Sequence, residues 1–349
     1  AFVSASLLPT LQAAMAQAPH DLRTLIVSKA AAPLAGGQAF EGWLAQHTPL
    51  SAPANTSPDD MAFWLYSSGS TGRPKGTVHA QGSLYHTAEL YGRHVLGLKD
   101  SDVSFSAAKL FFAYGLGNGL SFPLTVGATS LLMAERPTPS ACFARLTGQA
   151  QGVKPTVFYG APTGFAGMLA AADLPGKGQT ALRMCSSAGE ALPRDLGERF
   201  SRHFGVEIID GIGSTEMLHV YLSNRPGDVR YGTTGKPVAG YDIELRDEDG
   251  NVLQGHGEIG DLYIMGPSSA LFYWANRQKT RDTFQGAWTK SGDKYMRDAD
   301  GYYVYSGRGD DMLKISGRRL DLSSPFVDAS LPDGSRLNYG RLPGRGPRR

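Results

Sequence analysis

The sequence predicts an α/β protein, and two observations carry that expectation. Between Phe63 and Ile212, short β-rich runs alternate with helical stretches, the pattern of a layered sheet covered by helices. From Val220 onward the helical periodicity fades and glycine-rich turns separate short strand-like segments, which fits a small β-rich subdomain such as a distorted barrel. A chain of 349 residues, 41% of them hydrophobic, can bury a sizeable core in one large or two to three smaller domains.

The elements follow in order. Leu7, Leu8, Leu11 and Met15 repeat at helical spacing, and Leu22 to Val27 reads as a buried strand, as if one βα unit were already under way where the sequence opens. Strands are expected over Phe63–Tyr66, Ser130–Met133, Thr156–Tyr159 and Glu207–Ile209, with helices over Pro139–Gln149 and Arg194–His203 between them. Tyr241–Arg246, Gly260–Met265 and Tyr302–Tyr305 read as short strands of the β-rich part. After Gly317, Arg, Pro, Gly and Ser dominate, and residues 318–349 are expected to be a disordered tail.

Charge and cysteine content exclude several classes. The net charge of +2 hides seven arginines against three aspartates from Gly317 onward, leaving the preceding residues slightly acidic, so no basic patch argues for a nucleic-acid partner. Cys142 and Cys185 are too few for a disulfide framework or a thiolate metal site; they read as buried structural thiols in a cytoplasmic protein. No apolar run is long enough for a membrane span, and the opening residues lack the pattern of a signal peptide.

The strongest chemical signal is Tyr66-Ser67-Ser68-Gly69-Ser70-Thr71-Gly72-Arg73-Pro74-Lys75-Gly76, directly after the strand-like Met61–Leu65. Its glycines let the backbone turn closely around an anion, its hydroxyl and N–H groups donate to one, and Arg73 and Lys75 add charge, so the loop suits a triphosphate. It is not a Walker A loop, because Lys75 lies between Pro74 and Gly76. The bland alternative is a flexible polar loop.

This string resembles the phosphate-binding signature of the adenylate-forming acyl-CoA synthetases, and further segments resembling family motifs follow in order as far as about residue 317. Ser187-Ala188-Gly189-Glu190-Ala191-Leu192-Pro193 is similar to the segment lining the adenine pocket, and Asp210-Gly211-Ile212-Gly213-Ser214-Thr215-Glu216 to the one completing it. The resemblance implies ATP, Mg²⁺ and coenzyme A as cofactors, with Ser67 to Gly72, Lys75, Ala188, Gly189, Glu190, Asp210, Gly211, Ile212 and Thr215 around the nucleotide. Lys75, Thr71 and Glu216 would be catalytic, with Glu216 holding the metal; taken alone, Glu216 reads as a helix N-terminal acid behind Ser214 and Thr215. Trp288-Thr289-Lys290-Ser291-Gly292-Asp293 resembles the family element whose aspartate accepts from the ribose hydroxyls, although by itself it is only a turn. Tyr305 to Gly317 resembles the hinge motif, with Arg308 on ribose or phosphate and Asp310 as the pivot.

Phe111-Phe112-Ala113-Tyr114-Gly115-Leu116-Gly117-Asn118 resembles the aromatic motif of the acyl pocket, and its Ala-Tyr-Gly version, like Glu216-Met217-Leu218-His219, is similar to benzoate-type ligases. Ala113, Tyr114, Gly115 and His219 are therefore the candidates for an aryl carboxylate. Phe111 and Phe112 alone would read as core, and a lone histidine as structural. His219 is given no general-base role, since a carboxylic acid is already ionised at neutral pH.

The resemblance divides the chain into a partial α/β core with the ATP and acyl sites (1–219), a β-rich subdomain (220–309), a hinge (310–317) and an atypical tail, incomplete at both ends. The family continues into a C-terminal domain whose lysine contacts the reacting groups; the sequence given lacks that segment, so the implied ligation of an aryl acid to coenzyme A is expected to be impaired. A binding module without turnover and an adenylating relative that uses another carboxylate are the alternatives, and Ala113, Tyr114 and His219 weigh against the latter. The partners implied are the small acid, ATP and coenzyme A, with no nucleic acid and no membrane; a homodimer is compatible.

Overall fold

A computed structural model describes residues 1–30, 37–68 and 74–308, with the backbone alone at Ser68 and in the short strands 312–315, 318–321, 328–330 and 336–338. The chain forms two compact units, one over Ala1–Thr56 and one that begins at Ser57.

In the first unit, three parallel strands, Phe2–Ser4, Ile26–Ser28 and Gln38–Ala39, carry the helices Leu8–Gln17 and Phe40–Leu44. The strand expected over Leu22–Val27 is confined to Ile26–Ser28, because only Ile26 and Val27 are buried while Leu22 lies exposed.

The second unit is built on a seven-stranded sheet. Its order runs Lys236–Pro237, Val220–Ser223, Ile208–Gly213, Met184–Ser187, Val157–Gly160, Val103–Ser106, Thr129–Leu131, and the last five strands pair in parallel. Side chains alternate across it, as a period of two requires. Val157, Tyr159, Met184 and Ile209 face one core, with Tyr91, Leu96 and Phe122; Phe158, Cys185 and Ile208 face the other, under helices Pro139–Leu146, Pro162–Ala170 and Arg194–Phe204. In Arg194–Phe204, Leu196, Phe200 and Phe204 recur every four residues and are buried, and Gly205 ends the helix in the left-handed region. Both cysteines are buried and unpaired, as expected, and burial raises the Cys142 thiol to about 11.

The expected β-rich part is a five-stranded antiparallel sheet, Asp242–Arg246, Ile259–Met265, Trp288–Arg297 and Phe284–Gln285, with Tyr303–Arg308 also paired to Trp288–Arg297. The strand expected at Phe63–Tyr66 does not join the parallel sheet. It lies within Met61–Ser68, which pairs antiparallel with Pro74–Ala80, and Phe272–Tyr273 adds a third strand. Among the described residues, no helix is long and apolar enough to cross a membrane.

Candidate functional site

The two segments singled out around the nucleotide end on neighbouring strands. Met184–Ser187 and Ile208–Gly213 pair in parallel with Ser187 opposite Asp210, so Gly189 and Gly211 both follow at the carboxyl end of the parallel strands, where ligands of open parallel sheets bind. Gly189 makes the first turn with φ +93°, a conformation that a Cβ would strain. A cavity of about 860 Å³ opens there, lined by Gly189, Glu190, Asp210, Gly211 and Ile212 together with Thr234, Asp293, Tyr295, Tyr305 and Arg308. Seven of the residues expected at the nucleotide thus share one wall system. Ala188 instead packs into the core beside the strand.

The walls are chemically distinct. Asp210 is buried with Oδ1 lacking a hydrogen-bond partner, and desolvation lifts its carboxyl to about 8. Asp293 lies across the strand pair from Arg308, whose Nη1 stands 3.4 Å from Oδ1; burial still raises the Asp293 carboxyl to about 6 because it outweighs the guanidinium. Glu190 faces the cavity but accepts from the Thr163 backbone N–H at 3.1 Å and from its hydroxyl at 2.5 Å. The carboxylate thereby sits at the N-terminal end of helix Pro162–Ala170, a favourable place for negative charge.

Lys75 and Glu216 form a second group. Lys75 Nζ is 3.8 Å from Glu216 Oε1, and the Tyr273 hydroxyl donates to that same oxygen at 2.6 Å. The Lys75 ammonium lies 4.8 Å from the centre of the Tyr273 ring. Burial lowers the Lys75 pKa, with Glu216 opposing the shift. Glu216 does not begin a helix: it occupies the turn between antiparallel strands Ile208–Gly213 and Val220–Ser223, where Leu218 takes φ +64°. The Thr215 carbonyl accepts from His79 Nε2 at 2.7 Å and that of Glu216 from the Ala270 N–H, also at 2.7 Å. The Glu216 charge reaches Asp293 and that of Arg308 reaches Lys75, so the two groups share one field. Ser67 is half-buried with its hydroxyl unpartnered. Gly69, Ser70, Thr71, Gly72 and Asp310, and the side chain of Ser68, lie outside the described residues.

The aromatic segment forms helix Ala113–Leu116, continuing through a π-helical turn at Gly117–Ser121 into Phe122–Val126. Tyr114 stacks on His219 with ring centres 5.4 Å apart, and its hydroxyl lies 3.1 Å from Ser186 Oγ. His219 is buried between Tyr91, Tyr114 and Phe122, neither ring nitrogen has an ordinary hydrogen bond, and burial drops its pKa to about 3. Ala113 is half-buried at the helix start. The space beside Gly115 is taken by backbone, since a Cβ would meet the Lys109 carbonyl at 2.1 Å. Tyr114 also lines a second, mostly apolar cavity of about 480 Å³ with Phe112, Phe158, Gly160, Ala161 and Met168, and Thr163 lines both cavities.

Tyr273, His79 and Thr163 were not legible as site residues. The one local signal is for Thr163, since Gly160-Ala161-Pro162-Thr163 follows an expected strand and has the turn chemistry that starts a helix.

Known proteins resemble this chain in sequence and in fold. Residues 2–274 match the model of the AMP-binding enzyme family. The chain is 57% identical over 317 residues to a benzoate–CoA ligase of Thauera aromatica, covering 91% of this chain and 58% of the relative. A solved benzoate CoA ligase from Burkholderia xenovorans superposes with a TM-score of 0.82 at 57% identity, over 90% of this chain and 60% of that one. A solved anthranilate CoA ligase in complex with anthranoyl-AMP gives a TM-score of 0.86 at 41% identity, over 92% of this chain and 61% of that one. The chain therefore spans less than two thirds of the length of these relatives.

Proposed function

The chain belongs to the AMP-binding enzyme family, and from that premise we propose that it carries the nucleotide and acyl sites of an ATP-dependent benzoate–CoA ligase. The observation that carries the reading is the convergence of Gly189, Glu190, Asp210, Gly211, Ile212, Asp293 and Arg308 on one cavity of about 860 Å³. That volume falls in the small-molecule range of roughly 300–1,000 Å³. Asp293, facing Arg308, would accept from the ribose hydroxyls, and the unpartnered Asp210 Oδ1 would face the base.

The reaction is attack of an aryl carboxylate oxygen on the α-phosphorus of ATP, which breaks the α–β phosphoanhydride bond and leaves acyl-AMP and pyrophosphate. A thiolate of coenzyme A then displaces AMP at the acyl carbon. The first step brings anions together, so it needs cations already in place. Lys75 supplies one. Glu216 is a single carboxylate, and among the described residues no group of three His, Cys, Asp or Glu gathers. That donor set fits Mg²⁺, which takes one or two carboxylates and completes its shell with substrate phosphates and water. Bound there, the ion would neutralise phosphate charge; Glu216 would hold it and Lys75 would turn to the phosphates.

Tyr114 would form the face on which the aryl ring packs, backed by the buried His219 ring stacked behind it, with Ala113 at its edge, and the apolar cavity beside Tyr114 is in the size range for a small acid. Calorimetric titration with ATP and Mg²⁺, then with benzoate, a long-chain fatty acid and an amino acid, tests the reading. Binding confined to ATP and aryl acids is expected; equal binding of the aliphatic acids would sink the benzoate assignment.

A further inference from the structure

Tyr273 touches both charged groups of the phosphate-side cluster, yet it is brought there from 57 residues beyond Glu216. Strand Phe272–Tyr273 pairs antiparallel with Pro74–Ala80, Tyr273 opposite Thr77, which fixes the ring against the strand that carries Lys75. The phenol donates to Glu216 Oε1 at 2.6 Å and receives Lys75 Nζ at 3.4 Å, while the ring face lies 4.8 Å below the ammonium. Lys75 and Glu216 side chains are only 13% and 15% exposed, so water competes weakly for these contacts. The neighbouring Ala270 N–H holds the Glu216 carbonyl, so this short segment grips Glu216 through backbone and side chain together.

Resting on the nucleotide reading above, we propose that Tyr273 is a positioning residue that holds the Glu216 carboxylate by Oε1 and keeps Lys75 beside it. Both contacts fall on Oε1, which leaves Oε2 as the oxygen a cation would take. With its charge shared by a cation on Oε2, Glu216 would hold Lys75 less tightly, and the ammonium would be free to turn to phosphate. Tyr273 touches no reacting atom in this scheme; it sets the orientation of two groups that do.

Tyr273→Phe removes the hydroxyl and keeps the ring, including its packing 5.3 Å from Phe284. In the full chain, the Mg²⁺ concentration for half-maximal ATP binding is expected to rise about tenfold, the worth of one weak charged hydrogen bond, while ATP binding without metal changes much less. An independent readout uses no nucleotide: the rate at which Lys75 is labelled by an amine-reactive ester, followed by peptide mass spectrometry, should rise in Tyr273→Phe. Glu216→Gln, which leaves Tyr273 in place, should raise the labelling rate as well. A wild-type chain that binds no ATP defeats the nucleotide reading, and the labelling rates then decide the Tyr273 role alone. Identical Mg²⁺ midpoints, or wild-type labelling rates in both variants, overturn the positioning role.

Discussion

Asp293 and Arg308 stand opposite one another on paired antiparallel strands, with Nη1 3.4 Å from Oδ1, at the wall of the larger cavity. Burial of the carboxylate outweighs the guanidinium, so Asp293 titrates near pH 6 rather than near 4. A group with that value changes its hydrogen-bonding character within the physiological range, from acceptor above to partial donor below.

Adenosine binding should therefore weaken as pH falls through about 6, since two ribose hydroxyls that donate to Asp293 need the ionised form. Adenosine is the right probe because it carries the ribose without titrating phosphates. Below that pH the loss should approach tenfold per unit, about 1.4 kcal/mol. Asp293→Asn should bind weakly with a flat profile between pH 5 and 7.5, read by calorimetry. A wild-type profile already flat over that range would remove Asp293 from the ribose.

Lys75→Ala should weaken ATP by about 1.5–3 kcal/mol, the value of a charge-assisted contact, and leave benzoate binding without nucleotide unchanged. The ammonium sits against Glu216 and Tyr273, not against Tyr114 or His219. Equal losses for ATP and benzoate would contradict that geometry.

The difference between what was legible and what was not follows the range of the interactions. Asp210 and Gly189 were legible because the contiguous segments that hold them, Ser187–Pro193 and Asp210–Glu216, resemble family motifs, and the parallel register then brings the two segments together. Tyr273 was not, because its partner Glu216 lies 57 positions away and nothing in Ala270-Leu271-Phe272-Tyr273 marks a strand that will pair with Pro74–Ala80. The same holds for His79, which reaches Thr215 across 136 positions. Leu22–Val27 shows the opposite error: an apolar run matched a strand template, but only its last two residues and Ser28 find a partner strand. Glu216 alone pointed to a helix start; the structure makes it a turn, since the chain must reverse into Val220–Ser223.

Stability should fall as pH rises from 6.5 to 8, and Asp210→Asn should remove that fall. The Asp210 carboxyl is raised to about 8 in the folded chain, above its unfolded value of 3.8, so its contribution is fully present below 3.8 and lost as pH rises through 8. Asp293, raised to about 6, has largely titrated by pH 6.5. His79 and His219, lowered to about 4 and about 3, have the opposite sign: their contribution is present above the unfolded value of 6.5 and lost as pH falls through the folded values, so at pH 6.5 they already oppose the Asp210 slope by about 0.4 kcal/mol each. One proton over this window is worth at most about 2 kcal/mol. Urea midpoints at the two pH values measure it; a wild-type midpoint that does not fall, or a fall that persists in Asp210→Asn, would show that Asp210 is not the source of the slope.

Gly117→Ala should damage the acyl face without touching the nucleotide cavity. A Cβ at Gly117 would lie 2.4 Å from His219 Cδ2, 2.7 Å from its Nε2 and 2.9 Å from Phe122 Cζ. His219 has no room to yield, because Tyr91, Tyr114 and Phe122 pack around the ring at centroid distances of 5.3, 5.4 and 4.5 Å. Overpacking of this kind costs about 1–3 kcal/mol, so the chain should unfold at lower urea. Displacing His219 also tilts Tyr114, whose hydroxyl is tied to Ser186 Oγ at 3.1 Å, and benzoate affinity should fall with it. Adenosine affinity should persist, since neither Gly117 nor His219 lines the larger cavity. Unaltered stability would mean that the His219 packing is wrong, and lowered stability with unaltered benzoate affinity would take His219 and Tyr114 out of the acyl site.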